Sequence, residues 1–321
     1  MTAPPSEWRR LVADYLGLVG ALVALIVVFS LATNHFFSPA TFRTIANQIP
    51  AALLVATGMT FILVAGEIDL SVGSVLGLCG AVVGVALVKW QWPLWAALVA
   101  SVLVGAACGW FNGAVSLRWR LPSFIVTLGM MEMARGAAHA VTKSQTQYIG
   151  APIEGIAATN FMGFSLPFLI AFIVAIAAQV VLSHGVFGRH LLAVGANQQA
   201  AQFSGINPKR VKLTVFILAG MLVALAAVID TSRFQSANPN AGSGFELQAI
   251  AAAVIGGTSL LGGRGSVIRT CIGVLIIAVL NSGLAAVGAK EEIKRLVTGA
   301  VIVAAVIADY YRHRLGKGRT T

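Results

Sequence analysis

Residues 64–74 read VAGEIDLSVGS and contain the junction between two apolar runs, residues 49–65 and 71–88. The segment places two carboxylates, Glu67 and Asp69, beside residues that suit a lipid environment. A carboxylate at membrane depth is expensive and normally faces a cavity or a partner. The neighbouring glycines permit an unwound backbone, which is tolerated at that depth only where it lines a cavity or packs against protein. For Asp69 the stretch predicts either a broken helix beside a transport path or a turn in which Asp69 caps the next helix. For Glu67 we favour the turn.

The rest of the chain has the composition of an integral membrane protein. Of its 321 residues, 58% are hydrophobic and 10% are charged, and the mean hydropathy is +0.86. An average soluble domain is about 45–50% apolar and about 25% charged. This composition excludes an ordinary soluble enzyme, a secreted disulfide scaffold and a disordered protein.

The apolar runs recur along the whole chain. Since a membrane-spanning helix needs about 20 apolar residues, we expect about ten spans in one domain over residues 1–321. They lie near residues 15–32, 49–65, 71–88, 93–116, 122–141, 166–183, 213–230, 248–261, 267–288 and 295–310. The sequence therefore predicts an all-α polytopic membrane protein, with broken or re-entrant segments around residues 66–74 and 256–266.

The basic residues indicate an orientation. With the N terminus inside and ten alternating spans, thirteen Lys and Arg residues fall in inside segments and seven in outside segments. Cytoplasmic loops carry an excess of Lys and Arg, so we expect both termini in the cytoplasm. The same bias accounts for the net charge of +11, and we expect no nucleic-acid partner.

The longest inside connection, residues 184–212, contains a candidate docking helix. Asn197 is a suitable N-cap for a short helix over residues 198–204, and Gly205 is a suitable terminator. Pro208 prevents its continuation. A short helix exposed in a polar loop suits docking to a partner, and an ordinary surface helix is the alternative.

Other spans also carry polar residues, and two of these are expected to pair. Glu132 and Arg135 are three residues apart and share a helix face. Asn112 and Asn281 either bond between helices or line a path. The three cysteines and five histidines show no metal-ligand spacing, so the cysteines are interpreted as packed, reduced thiols.

Several catalytic motifs are absent from the sequence. It contains no G-x-x-x-x-G-K-[ST] loop for ATP and no G-x-S-x-G nucleophile elbow. We therefore expect no catalytic residue, no metal and no cofactor on this chain. A membrane path that lacks its own energy source is typical of a transporter subunit.

Five motifs in order resemble those of the ribose/xylose-type sugar ABC transporter permeases. They are GEIDLSVGS at residues 66–74, PSFIVTLGM at 122–130, the segment 195–206, ANPNAG at 237–242, and the segment 249–266 ending in IGGTSLLGGRGS. The resemblance covers nearly the whole chain. Two departures are Glu67 and Arg269, each at a position where the family usually has Gly.

The resemblance implies a non-catalytic permease subunit with the ABC importer permease fold, located in the bacterial inner membrane and importing a monosaccharide or related polyol. It further implies a cytoplasmic ABC ATPase, a periplasmic sugar-binding protein and a second permease copy as partners within the lipid bilayer. Candidate residues of the substrate path are Asp69, Ser71, Asn112 and Asn281. Candidate residues for coupling to the ATPase are Arg189, Gly195, Asn197, Ala200, Ala201, Ser204 and Gly205.

Two other functions are alternatives. An ion-coupled secondary transporter would use carboxylates as proton or sodium sites, with Glu67, Asp69, Glu132 and Asp230 as candidates. An intramembrane enzyme is disfavoured, because the sequence shows no pair of nucleophile and base.

Overall fold

A computed structural model describes residues 7–161 and 164–317 of the chain, and this part is mostly helical. The helices are α1 Glu7–Ala32, α2 Pro39–Val64, α3 Val72–Val88, α4 Leu94–Trp119, α5 Ser123–Thr142, α6 Ala151–Ala158, α7 Leu166–His184, α8 Val186–Ala196, α9 Gln198–Phe203, α10 Pro208–Phe234, α11 Phe245–Ile255, α12 Val267–Ala286 and α13 Glu291–Lys317. The strands are β1 Gln147–Tyr148, β2 Asn160–Phe161, β3 Phe164–Ser165 and β4 Ser236–Ala237. The strands form two antiparallel pairs, β1 with β4 and β2 with β3.

The predicted all-α membrane architecture is confirmed. Within the described part, six helices are long and apolar enough to cross a membrane: α1, α2, α4, α7, α10 and α12. The count of ten spans stays a prediction. The expected run over residues 248–261 is wrong as one continuous span, because α11 ends at Ile255 and Gly257 has φ +79°. Its 11 residues extend about 16 Å, short of the roughly 30 Å hydrocarbon core.

Helix α2 forms the centre of the bundle, since 83% of its span is buried against α7, α10, α11 and α12. By contrast, only 22% of the α4 and α7 spans is buried, so these helices present apolar surface outward, as lipid contact requires. Helices α4 and α10 approach closely, because Gly105 and Gly220 each face the other's backbone. Small residues allow such backbone contact between membrane helices.

The bundle has two distinct ends. At one end, β1 pairs with β4 and joins the chain beyond α5 to the chain beyond α10. At the other end, the Gly263 amide donates to the Val64 carbonyl at 2.9 Å and joins the end of α2 to the loop before α12. Helix α9 lies at this second end, because Gly195, near the end of the preceding helix α8, packs against Val64 and Gly263. We call the two ends the β1–β4 end and the α9 end.

Candidate functional site

The connection between α2 and α3, residues 65–71, is a fixed loop. Gly66 turns the chain with φ +73°. The Ile68 amide donates to the Ser123 hydroxyl at 3.0 Å, and the Leu70 amide donates to the Thr127 hydroxyl at 3.0 Å. Since these side chains lie in the first turns of α5, α5 supplies the hydrogen-bond partners that the unwound backbone needs.

Three of the four predicted path residues meet in one buried network. Asp69 Oδ1 accepts from the Ser71 amide at 2.8 Å and from the Ser71 hydroxyl at 2.6 Å. The Asn112 side-chain amide donates to Ser71 Oγ at 3.0 Å and to Asp69 Oδ2 at 3.4 Å. All three residues are at most 4% exposed. The arrangement ties the residues just before α3 to α4. Ser71 is the N-cap of α3 and makes no side-chain capping hydrogen bond, so the expected capping of this helix by Asp69 is wrong. The Asp69 carboxylate bonds Ser71 instead. Contact of these residues with substrate stays a prediction.

Asn281, the fourth predicted path residue, lies elsewhere, in a mainly apolar cavity of about 150 Å³ between α2, α10, α11 and α12. Gln48, Asp230, Arg233 and Gln248 also line it. Three of the lining residues, Gln48, Gln248 and Asn281, also line a wider open groove that reaches the start of α13. Carboxamide, carboxylate and guanidinium groups together offer both hydrogen-bond donors and acceptors, so this cavity can hold a small polar molecule.

An ion pair that the sequence did not predict connects three segments at the α9 end. Lys212 Nζ donates to Glu67 Oε1 at 2.6 Å and to Gln198 Oε1 at 2.8 Å. The side chains of Lys212 and Glu67 are only 11% and 14% exposed. The pair therefore links the α2–α3 connection, the first residue of α9 and the beginning of α10. The expectation that Glu67 lies in a turn is met, but its partner is 145 residues away and no local pattern indicated it.

The short helix predicted in the 184–212 connection is present with its predicted caps. The Asn197 side chain accepts from the Ala200 amide at 3.0 Å, and Gly205 has φ +84° just beyond the helix. Helix α9 ends at Phe203, one residue earlier than expected. Of the coupling candidates in this region, the exposed ones are Arg189, Asn197, Ala200, Ser204 and Gly205.

The remaining two coupling candidates, Gly195 and Ala201, pack against other parts of this chain. A Cβ on Gly195 would overlap the Val64 carbonyl oxygen and lie 2.6 Å from the Gly263 amide nitrogen. Ala201 is 4% exposed. Ala201 is therefore buried and Gly195 is partly buried, and a coupling role for either stays a prediction. Phe203, the last residue of α9, is 92% exposed and adds an aromatic group to this surface.

The predicted pairing of Glu132 with Arg135 is wrong. Arg135 Nη1 donates instead to the carbonyls of Pro239 at 2.7 Å and Ala241 at 3.0 Å, in the loop before α11. Glu132 is exposed on the outer face of α5. Over residues 7–161 and 164–317, no group of three or more His, Cys, Asp or Glu side chains is placed to hold a metal ion.

Comparison with known proteins identifies the family. Residues 41–306 match the family described as "branched-chain amino acid transport system / permease component". The chain is 38% identical to the ribose import permease protein of Haemophilus influenzae, over 91% of each chain. It is 34% identical to the D-allose transport system permease protein of Escherichia coli, over 92% of this chain and 91% of that protein.

A third relative, the xylose transport system permease protein of Haemophilus influenzae, is 31% identical over 90% of this chain and 94% of that protein. No solved structure matches the chain significantly. The matched region contains the fixed α2–α3 connection, the α9 helix and the cavity that Asn281 lines. With its set of apolar membrane-length helices, the chain is a multi-pass membrane protein that belongs to this permease component family.

Proposed function

We propose that the chain is the transmembrane permease subunit of an ATP-driven importer that carries a monosaccharide or related polyol across the bacterial inner membrane. The observation that carries this proposal is full-length similarity to permeases named for ribose, allose and xylose. Because the sequence has no P-loop, ATP hydrolysis falls to a cytoplasmic ABC ATPase. A periplasmic sugar-binding protein delivers the substrate.

Two contacts argue against the alternative of an ion-coupled secondary transporter. Glu67 is already paired with Lys212, and Asp69 already accepts hydrogen bonds from Ser71 and Asn112. Coupling ions need carboxylates that can exchange partners during transport. Both groups instead hold the backbone at the α9 end.

The exposed face of α5 supports the presence of a second permease copy. Glu132 lies near the middle of this 20-residue helix and is exposed, and Phe124 and Leu128 on the same helix are 47% and 46% exposed. A carboxylate facing lipid at this depth would be costly. We therefore place the second copy against α5, with the substrate path along the axis between the copies.

Reconstitution tests the proposed function directly. The permease, its ATPase and its binding protein are placed in proteoliposomes, and ATP-dependent uptake of D-ribose, D-allose and D-xylose is measured. We expect uptake of at least one of these sugars, abolished when the ATPase is omitted. Uptake driven by a proton or sodium gradient without the ATPase would instead establish the secondary transporter.

Topology gives a further prediction. We expect the β1–β4 end to face the periplasm and the α9 end, with both termini, to face the cytoplasm, because of the Lys and Arg distribution. In intact cells, a membrane-impermeant thiol reagent should label Asn160→Cys, in β2, and should not label Arg319→Cys, which lies outside the described residues. Labelling at position 319 in sealed cells contradicts the orientation.

Docking of α9 to the ATPase gives a prediction about coupling. Since an isolated helix this short is marginal in water, a groove on the ATPase would stabilise it. Ala200→Arg adds bulk and charge to its exposed face. We expect the variant to insert normally while sugar uptake per ATP hydrolysed falls about ten-fold, which corresponds to about 1.4 kcal/mol. Ala151→Arg, at an exposed alanine of α6, is the matched control and should transport normally.

The companion variant Gly205→Val acts on the end of the same helix. Gly205 has φ +84° and no atom near a built Cβ, so the cost comes from the backbone conformation, which a β-branched residue resists. We expect the same loss of coupling. If both variants copurify with the ATPase and transport at the normal ratio, α9 is not the coupling element.

A further inference from the structure

The ion pair between Lys212 and Glu67 is largely shielded from solvent on the wall of a groove, and its contribution to stability does not explain its position. Removing two charges from water is costly, and a buried pair often stabilises a protein no more than apolar residues of the same volume. The best-attested use of such pairs is to fix one arrangement among several. The position of this pair is therefore better explained by a role in setting the relative positions of the segments it joins.

The ion pair joins the exposed helix α9 to the α2–α3 connection. Gln198 is the first residue of α9, and its side-chain oxygen accepts from the Lys212 ammonium. On the other side, Glu67 follows Gly66, whose φ of +73° marks the turn after α2. Two residues further on, Asp69 fixes the start of α3 through Ser71. A displacement of α9 thus reaches α3 through one ammonium group and a short stretch of fixed backbone.

An open polar groove surrounds the pair on the side of α9. Its lining includes Arg120 at the end of α4 as well as Gln199, Gln202 and Lys209 around α9 and the start of α10. This groove leaves space for α9 to move relative to α4. Lys212 and Glu67 lie on its inner wall, where the exposed fraction of each side chain is under one sixth.

We propose that Lys212 and Glu67 are positioning residues that hold α9 in register with the α2–α3 connection and transmit ATPase-driven movement of α9 to α3. This inference rests on the proposed ATP-driven function. Neither residue touches the substrate in this role. Their charges affect the coupling between hydrolysis and transport, because the Lys212 ammonium contacts both Gln198 of α9 and Glu67 of the α2–α3 connection.

Charge reversal in the complete reconstituted transporter tests the inference. The variants are Glu67→Lys, Lys212→Glu and the double exchange, with sugar uptake and ATP hydrolysis measured in the same vesicles. We expect each single variant to hydrolyse ATP while uptake per ATP falls about ten-fold. The double exchange should restore the ratio to within about two-fold of the wild type, because it rebuilds an ion pair of opposite polarity between the same positions. Lys209→Met, at an exposed lysine three residues earlier, should leave the ratio unchanged.

The possible outcomes separate this inference from the proposed function. If the wild-type complex imports no sugar with ATP, the proposed function fails, and the inference fails with it. If the wild type imports sugar and the single variants keep a normal uptake-to-hydrolysis ratio, the inference alone is overturned. If the single variants do not accumulate, the double exchange decides: restored accumulation with normal coupling supports the inference. Restored accumulation with poor coupling, or no restoration, overturns it.

Discussion

Replacing Gly195 by alanine is expected to lower the accumulation of the permease several-fold. The added methyl group would overlap the carbonyl oxygen of Val64 and lie 2.6 Å from the amide nitrogen of Gly263. The Val64 carbonyl also accepts the Gly263 amide at 2.9 Å, so the added methyl group would crowd both partners of that hydrogen bond. Overpacking of this kind costs about 1–3 kcal/mol, and more where backbone must move.

Membrane yield and the thermal midpoint in detergent measure this effect. We expect a yield several-fold below wild type, since losses of about 1–2 kcal/mol already change cellular abundance several-fold. Gly155→Ala is the matched control, because a Cβ there meets no atom within 4 Å. A Gly195→Ala variant with normal yield and thermal midpoint but no transport would contradict this packing role and support a role of Gly195 in coupling to the ATPase.

Features governed by local sequence were predictable. The apolar runs located the long helices, because 20 consecutive apolar residues have few alternatives to a membrane span. Asn197 and Gly205 located both ends of the α9 region, because capping depends on the conformation and side chain of one residue. These signals need no knowledge of the rest of the fold.

Features governed by tertiary contacts were not predictable. Glu132 and Arg135 have a spacing that permits pairing, yet the Arg135 guanidinium instead reaches two carbonyls more than 100 residues away. Its five donors in a fixed fork suit such carbonyl groups. The sequence likewise does not show the backbone of Val64 and Gly263 packed against Gly195.

The α9 end is the point at which the predicted and unpredicted features meet. This end contains the Gly195 contact, the Lys212–Glu67 pair and the Asp69 network. Together these contacts join α8, α10 and the α2–α3 connection. Close backbone packing resists deformation, because well-packed interiors transmit strain. If an ATPase docks on α9 as proposed, a movement of α9 would act on α2 and α3 together.

The Asp69→Ala variant is expected to lose accumulation and uptake together. Removing the carboxylate leaves the Ser71 amide, the Ser71 hydroxyl and the Asn112 amide with fewer acceptors in a buried site. Each buried donor left without a partner costs about 1–3 kcal/mol. Asp69→Asn keeps one acceptor oxygen, so its thermal midpoint should fall between those of Asp69→Ala and the wild type. Ser71→Ala should lower the thermal midpoint less than Asp69→Ala does, because the backbone amide of residue 71 still donates to the carboxylate.

Comparing yield with uptake distinguishes the two roles that Asp69 can play. A structural role lowers membrane yield, thermal midpoint and uptake in parallel across Asp69→Ala and Asp69→Asn. A role in the substrate path abolishes uptake in protein that accumulates and melts normally. Because Asp69 is 4% exposed and two of its three hydrogen bonds begin within its own loop, we expect the parallel loss. Normal uptake by a well-expressed Asp69→Ala protein would remove the residue from both roles. The segment before α3 would then be held by Ser123, Thr127 and the hydrogen bond from Asn112 to Ser71.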